Sequence, residues 1–567
     1  MKLIIDGMEK IAQPGQSLRD MARQLGCMTG KLSTEPLAAR IAGEVFTLNY
    51  IPLRCKDAAG EVENTRRAMA ASNGKVELLR YSDPAGKDAY VRTAQFVIFL
   101  ALHRLWPKAR ARMTCTLGPG LFIVVKDAED FSVERLKAEI AALVADDIPL
   151  LRRRVTTEDA IAYFRSRGDE DKARLLQWRK ADWFDEYAYE GFRDYYYGEM
   201  APSTGCVRVW DVRPAEGGFL FLFPDDCNPD VVGTYEHMPH FLSVFNGGER
   251  WCQLMECETV ADLNALVESG RIRELIRVNE ALHEKRYSKV ADKVCQCGAK
   301  AVMLAGPSSS GKTTSANRLA TQLRIHGKKP VLMSLDDYYL NREMIPVGPD
   351  GKRDFEHINT IDVELFKTHL GMLLQGRQVE LPHFNFKTGK REWSGKKLLL
   401  NEDSVIIVEG LHALNPVLQP EGIDGELVFR LYVSPLLPLN LDDHNRIPTS
   451  YLRLLRRIVR DYEGRGASVQ QTLSMWDSVR RGEKLWIFPF QENADMIFNS
   501  STLYELAVLK RHIYPLLTAV APEDPWYDEV RAVVKILNYV LEADVDDEIP
   551  PTSLVREFIG GNTFYRK

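Results

Sequence analysis

A chain of 567 residues is too long for one hydrophobic core, so roughly two to four domains are expected. With 45% hydrophobic and 27% charged residues it is neither disordered nor fibrous. A net charge of only -5 excludes a global basic field for nucleic acid, while leaving room for a local patch.

In MKLIIDGMEK, Asp6 and Glu9 interrupt any apolar signal core, and the longest apolar run, 96–102, is far short of the about 20 residues a membrane span needs. The nine cysteines are odd in number and scattered, which points to reduced thiols and a cytoplasmic protein. Cys295 and Cys297 form C-x-C with no second pair, a poor metal framework.

The alternation in MKLIIDG predicts a strand, and Ser17 N-caps a helix, LRDMARQLG, that Gly26 stops. LAARIAGEVFTLNY adds a strand and a turn, so residues 1–62 read as a small α/β module. From 63 to 280 the pattern is mixed: a helix over 93–106, a strand in GLFIVVKD, and an amphipathic helix over 133–145 with Val133, Leu136, Ile140 and Leu143 on one face. The aromatic run WFDEYAYEGFRDYYYG could stack nucleic-acid bases, but its interleaved acids favour core packing. A charged helix over 272–292 leads into alternating strands and helices after Gly298, the signal of a parallel sheet covered on both faces.

The strand AVMLAG runs into Gly306-Pro307-Ser308-Ser309-Ser310-Gly311-Lys312-Thr313 and then the helix TTSANRLATQL. This is G-x-x-x-x-G-K-[ST] in its strand–loop–helix setting, an ATP phosphate loop whose backbone N–H groups, continuing to Thr314, converge on phosphate oxygens. Lys312 is expected at the β- and γ-phosphates and the Thr313 hydroxyl on Mg²⁺. The next strand ends in Asp336-Asp337-Tyr338-Tyr339, where a carboxylate can take the proton of an attacking hydroxyl. SVIIVEG ends an apolar strand on Glu409, placed to hold the metal or its water. On a later basic helix Arg453, Arg457 and Arg460 share one face, with Arg456 beside them, as a phosphate-clamping lid or a solvated charge run.

GPSSSGKTT, DDYY, Asp354-Phe355-Glu356-His357, Pro382-His383-Phe384-Asn385-Phe386, VEG, RRIVRDYEGRG and Ala494-Asp495 together resemble the uridine kinase and phosphoribulokinase group of P-loop kinases. The resemblance implies an ATP- and Mg²⁺-dependent nucleoside kinase acting on a 5′-hydroxyl. Asp336 would be the base, with Asp337 the alternative, and Glu356 would hold the ribose. Phe355, Phe384 and Phe386 would line the nucleoside pocket, and Arg457, Arg460 and Arg465 would meet phosphates or substrate. Uridine–cytidine kinases carry polar base-reading or lid groups where this chain has Gly389 and Ala467, and near Met475, so the base preference stays open.

Residues 1–62 look like the TGS module, a β-grasp unit, and roughly 63–250 is similar to the second additional domain of threonyl-tRNA synthetases, through HRLWP, GLFIVV and VTTEDAIAYFRSRGDEDKARLL. Phe96 and Leu100 stand at that family's two helical zinc positions, and His237 and His240 alone are too few ligands, so editing chemistry is expected to be lost. The expected domains are a β-grasp unit at 1–62, an α+β synthetase-like unit at 63–280, an α/β P-loop kinase at 281–500 and a helical extension at 501–567. The rival reading is an RNA- or ribosome-associated nucleotide switch. RNA binding by the front half is open but not favoured, and a homo-oligomer stays open.

Overall fold

The computed structural model describes residues 2–52, 72–179, 181–345, 347, 353–420 and 424–564; the expected boundary at 62/63 lies outside them. The first sheet joins Lys2–Ile5, Met8–Ile11, Ala38–Ile41, Glu44–Thr47 and Lys75–Leu79. Its central strand, Lys75–Leu79, runs parallel to Lys2–Ile5 and antiparallel to Ala38–Ile41, so this sheet is completed from beyond residue 62. Ser17 caps the helix Leu18–Gln24 by accepting from the Asp20 amide at 3.1 Å.

The next helix, Pro84–Leu105, starts well before position 93, because Pro84 fits a first helical turn where its missing N–H costs nothing. Phe96 and Leu100 are buried in the apolar cluster between this helix and Val133–Ala145, whose Leu136, Ile140 and Leu143 point inward. Strands Arg152–Thr156, Trp183–Tyr189 and Phe192–Asp194 form an antiparallel sheet. Its aromatics Phe184, Tyr187 and Phe192 are core residues, as are the following Tyr195 and Tyr196, while Trp183 faces out.

Helices α1 (Pro239–Leu254) and α2 (Ile272–Gln296) precede the kinase-type sheet, α2 running unbroken across position 280. The sheet consists of β1 (Ala301–Ala305), β2 (Lys329–Ser334), β3 (Ser404–Glu409), β4 (Val428–Ser434) and β5 (Met496–Asn499). All neighbours are parallel, in the order β2-β3-β1-β4-β5. Alternate residues of β1 serve opposite faces. Val302 and Leu304 pack with α2 and α3 (Lys312–Ile325), whereas Ala301 and Met303 pack with α4 (Val363–Leu374). A strand apolar on both sides can sit only at the centre of such a sandwich. Helices α5 (Thr449–Arg465) and α6 (Val469–Trp486) follow β4. After β5 the helices Glu505–Thr518 and Tyr527–Leu537 join α5 and the front half in one apolar cluster. Among the described residues no helix is long and apolar enough to cross a membrane.

A buried polar knot ties the halves together. Lys172 lies 2.6 Å from Asp194 and 3.2 Å from Asp442, His444 lies 2.6 Å from Asp194, and the Tyr195 hydroxyl donates to Asp442 at 2.7 Å. Burial alone would raise the Asp194 carboxyl, but Lys172 and then His444 hold it well below the usual range. Lys172→Met should therefore cost about 3–5 kcal/mol, the usual effect of stripping a buried ion pair of one partner. Chemical denaturation should show the loss, with Asp194→Asn in the same chain recovering part of it.

Candidate active site

The phosphate loop closes between β1 and α3. A Cβ on Gly306 would stand 2.1 Å from the Val433 carbonyl, and Gly311 sits at φ +86°, where only glycine is unstrained. Lys312 opens α3 and its Nζ donates to the Pro307 carbonyl at 3.1 Å. The hydroxyls of Ser309 and Ser310 are buried with no hydrogen-bond partner among the described residues. Such donors beside a helix N-terminus form a cradle suited to phosphate oxygens.

Three carboxyls converge on Lys312. Asp336 stands on the 3₁₀ turn Leu335–Tyr338 after β2, its amide donating to the Ser334 hydroxyl at 3.3 Å. Burial raises its carboxyl, with Lys312 opposing and Asp337 adding to the rise. Glu409 ends β3 and accepts from the Thr313 hydroxyl at 3.3 Å. It is pushed up to about 7 by burial and then by Asp336, with Lys312 opposing. Glu557, from the C-terminal tail, is the third. Burial is also what lowers the Lys312 ammonium despite these acids. Asp337 is occupied elsewhere: its Oδ1 accepts from the Phe384 amide at 3.2 Å and lies 3.0 Å from His383 Nδ1, tying down the hairpin Val379–Asn385/Lys390–Leu398.

The opposite wall comes from α5, and here the four-arginine face divides. Arg453 and Arg456 are not clamps, because each is committed to a buried carboxylate. Arg453 is paired with Glu483 of α6, which also accepts from the Ser308 amide at 3.0 Å. Arg456 meets Glu505 at 2.6 Å and donates to the Ser500 and Ser309 carbonyls at 2.9 and 3.3 Å. Arg457, Arg460 and Arg465 instead crowd one acid, Asp461, at 3.4, 2.9 and 3.4 Å. Arg457 also donates to the Ser308 hydroxyl at 2.9 Å. Three cations on one carboxylate leave positive charge to spare beside the phosphate loop.

Glu356 stands on a turn fixed by its own amide donating to Asp354 at 3.0 Å, and packs so tightly on α6 that a Cβ at Gly482 would lie 2.3 Å from it. Burial raises its carboxyl to about 7, Arg457 opposing. On the hairpin, Phe384 is buried and packs with Tyr339 and Phe386 at centroid distances of 5.5 and 5.2 Å. Phe386 and Phe355 are 57% and 50% exposed.

Comparison with known proteins bears on this arrangement. Residues 301–507 match the Phosphoribulokinase / Uridine kinase family. A uridine kinase from Ligilactobacillus salivarius is 30% identical over 193 residues, covering 34% of this chain and 81% of the relative. The chain belongs to the phosphoribulokinase/uridine kinase family. A uridine kinase from Halobacterium salinarum is 26% identical over 198 residues, covering 35% of this chain and 78% of its own length. The solved "Possible Uridine Kinase" from Bacillus stearothermophilus aligns over 38% of this chain and 97% of its own, at 19% identity and a TM-score of 0.26.

Against the uridine kinase pattern, Gly389 has φ +69° and lies under Arg342, whose Cδ would be 2.4 Å from an added Cβ. Arg342 itself donates to the Phe386 carbonyl at 2.8 Å, so an arginine fills the space a larger side chain would need. Met475 is 43% exposed on α6.

The family's motifs give no hint of the C-terminal tail, yet it reaches the loop. The Thr314 amide and hydroxyl donate to Glu557 Oε2 at 3.3 and 2.6 Å, Asn562 Nδ2 lies 3.4 Å from the same hydroxyl, and Leu554 abuts Gly311. A carboxylate held by the first turn of a phosphate-loop helix takes donors that an anionic nucleotide also needs. The only sequence signal is weak: an acid in a short apolar segment far from the motif. Glu557→Gln should tighten ATP binding by about 5–10-fold, in line with losing a charge-assisted contact. Calorimetric titration would read it, and weaker binding would refute the competition.

Proposed function

We propose that residues 281–500 form an ATP-dependent nucleoside kinase domain that transfers the γ-phosphoryl group to a nucleoside 5′-hydroxyl. The observation that carries this reading is the position of Asp336, against Lys312 on one side and in the cleft bounded by Glu356, the Phe384–Phe386 hairpin and the three-arginine cluster on the other. The loop backbone with Ser308, Ser309, Ser310, Gly311 and Thr314 would bind the ATP phosphates. Thr313 and Glu409, already in hydrogen-bond contact, would hold Mg²⁺. The fit is electrostatic: acids outnumber Lys312, and the Glu409 carboxyl, raised by burial and then by Asp336, would be relieved by a bound cation. When bound, Mg²⁺ offsets charge on the β- and γ-phosphates.

Glu356 would accept the ribose hydroxyls while Phe355, Phe384 and Phe386 cover the base. Asp336 would take the 5′-hydroxyl proton as the oxygen attacks the γ-phosphorus and the bond to the β–γ bridging oxygen breaks, releasing ADP, with Arg457, Arg460 and Arg465 stabilising charge on the transferring group. Catalysis is then positioning and charge neutralisation. With Gly389, Ala467 and Met475 at the departures, the base read need not be uracil. We read the front half as a TGS-like unit, completed by the strand Lys75–Leu79, and a synthetase-like unit that ends ahead of α2, both serving this domain, and 501–567 as an extension that includes Glu557.

The test is ATP-dependent phosphorylation of a panel of ribonucleosides, with ribulose 5-phosphate and no acceptor as controls. One or more nucleosides should be converted, and Asp336→Asn should lower kcat by about 10²–10⁴. ATP hydrolysis with no phosphorylated acceptor would turn belief to a nucleotide switch, and an equal loss from Asp337→Asn alone would reassign the base.

A carboxyl raised in the folded protein keeps its proton to higher pH than when unfolded. Glu409 and Glu356 therefore favour stability below their ordinary value of 4.5, and that contribution is lost as pH rises through about 7. The active form needs both ionised, so kcat/KM should fall below about pH 7. Binding of Mg·ATP at pH 6–7 should release protons, seen as a buffer-dependent heat that Glu409→Gln diminishes.

A further inference from the structure

The phosphate loop is not the only place where this chain gathers unspent positive charge. Helices α1 and α2 line an open cavity of about 290 Å³. Its walls include Arg250, Trp251 and Leu254 of α1 and Lys285, Arg286 and Lys289 of α2, and no carboxylate lines it. Lys285 and Lys289 are one turn apart, and Arg286 and Lys289 three residues apart, so three like charges share a helix face and repel.

Elsewhere on α2 the chain neutralises such charge: Arg273 and Arg277 both reach Glu548, at 2.7 and 2.9 Å. Among the described residues the four cavity cations have no ion-pair or hydrogen-bond partner. Burial lowers the Arg286 guanidinium, and no acid offsets it. The Trp251 indole N–H is also buried without an acceptor, and Leu254 is 71% exposed. Arg250, Lys285 and Lys289 are exposed and Arg286 is half-buried, so most of this charge is open to water. A merely solvated face would keep every donor wet, whereas this concave one also holds a buried indole donor with no acceptor among the described residues.

We propose that this cavity is a second anion site that binds a small phosphate ester of nucleotide size. Guanidinium and ammonium groups supply the charge-assisted hydrogen bonds that phosphate oxygens accept, the Trp251 N–H adds a neutral donor, and Leu254 with Leu282 offers apolar surface to a ring. The volume lies near the lower end of small-molecule pockets, about 300–1,000 Å³. A nucleic-acid strand would call for an extended basic track rather than one compact cluster in an acidic protein. The other face of α2 touches the first site: Tyr287 meets the Ser315 hydroxyl of α3 at 2.9 Å, and His283 lies 3.2 Å from the Ser501 carbonyl after β5. The cavity does not depend on the kinase reading, since none of its residues belongs to that cleft.

The test is calorimetric titration of the full chain carrying Lys312→Ala, which weakens the phosphate loop, with UTP and with inorganic pyrophosphate. Both should still bind, and adding Lys285→Gln, Arg286→Gln and Lys289→Gln should weaken both at least tenfold with the unfolding midpoint kept. If that variant unfolds, Arg250→Gln on the facing helix must produce the loss instead. No saturable binding to the Lys312→Ala chain, or binding indifferent to the cavity substitutions, would overturn the proposal. Binding of single-stranded RNA alone, steeply weakened by salt, would overturn it in favour of a nucleic-acid surface.

Discussion

Lys312 sits among Asp336, Glu409 and Glu557, and burial drives the first two of these acids toward the protonated form. The loop glycines bring that lysine to the C-terminal edge of a parallel sheet, where β1 runs into the loop and β3 delivers Glu409 from an apolar interior. With one ammonium among several carboxyls, the cleft is electrostatically incomplete. On the proposed reading, Mg²⁺ and the ATP phosphates would complete it, the phosphates meeting the arginines across the way.

Those arginines divide into two jobs on one helix. Arg453 and Arg456 run inward to Glu483 and Glu505 and hold the loop carbonyls, which makes α5 part of the scaffold. One turn further, Arg457, Arg460 and Arg465 share only Asp461 and remain electrostatically available. A helix built this way is anchored at its first half, and its charge is less neutralised at its second.

The tail and the front half add constraints that a family-sized domain lacks. Glu557 brings an internal anion to Thr314, and the Lys172–Asp194–Asp442 knot fixes the segment leading into α5 to the front half. Both act on the elements that flank the phosphate loop. A perturbation of the front half therefore has a packed route to the cleft through α5.

Much of the kinase part was legible in the residues themselves. A Gly/Ser loop followed by Lys312 and Thr313 between an apolar run and an amphipathic one admits few backbones, and apolar strands such as Ser404–Glu409 can end on an acid only where the sheet opens. Short-range rules also caught the Ser17 cap and the 133–145 helix, because caps and faces involve neighbours in sequence. Pro84 was equally local and carried the true start of its helix. What spacing could not reveal was partnership. That Arg453 and Arg457, one turn apart, face a buried acid and an open cleft depends on Glu483, far along the chain. The division between Asp336 and Asp337 rests on a hairpin some 50 residues later, and Glu557 reaches Thr314 from the far end of the chain. The sequence by itself determined which groups the protein has and the local backbone that presents them. Only the tertiary structure decided which charges are neutralised and which are left over, because Coulomb energy and desolvation depend on distance and burial in space, not on separation along the chain.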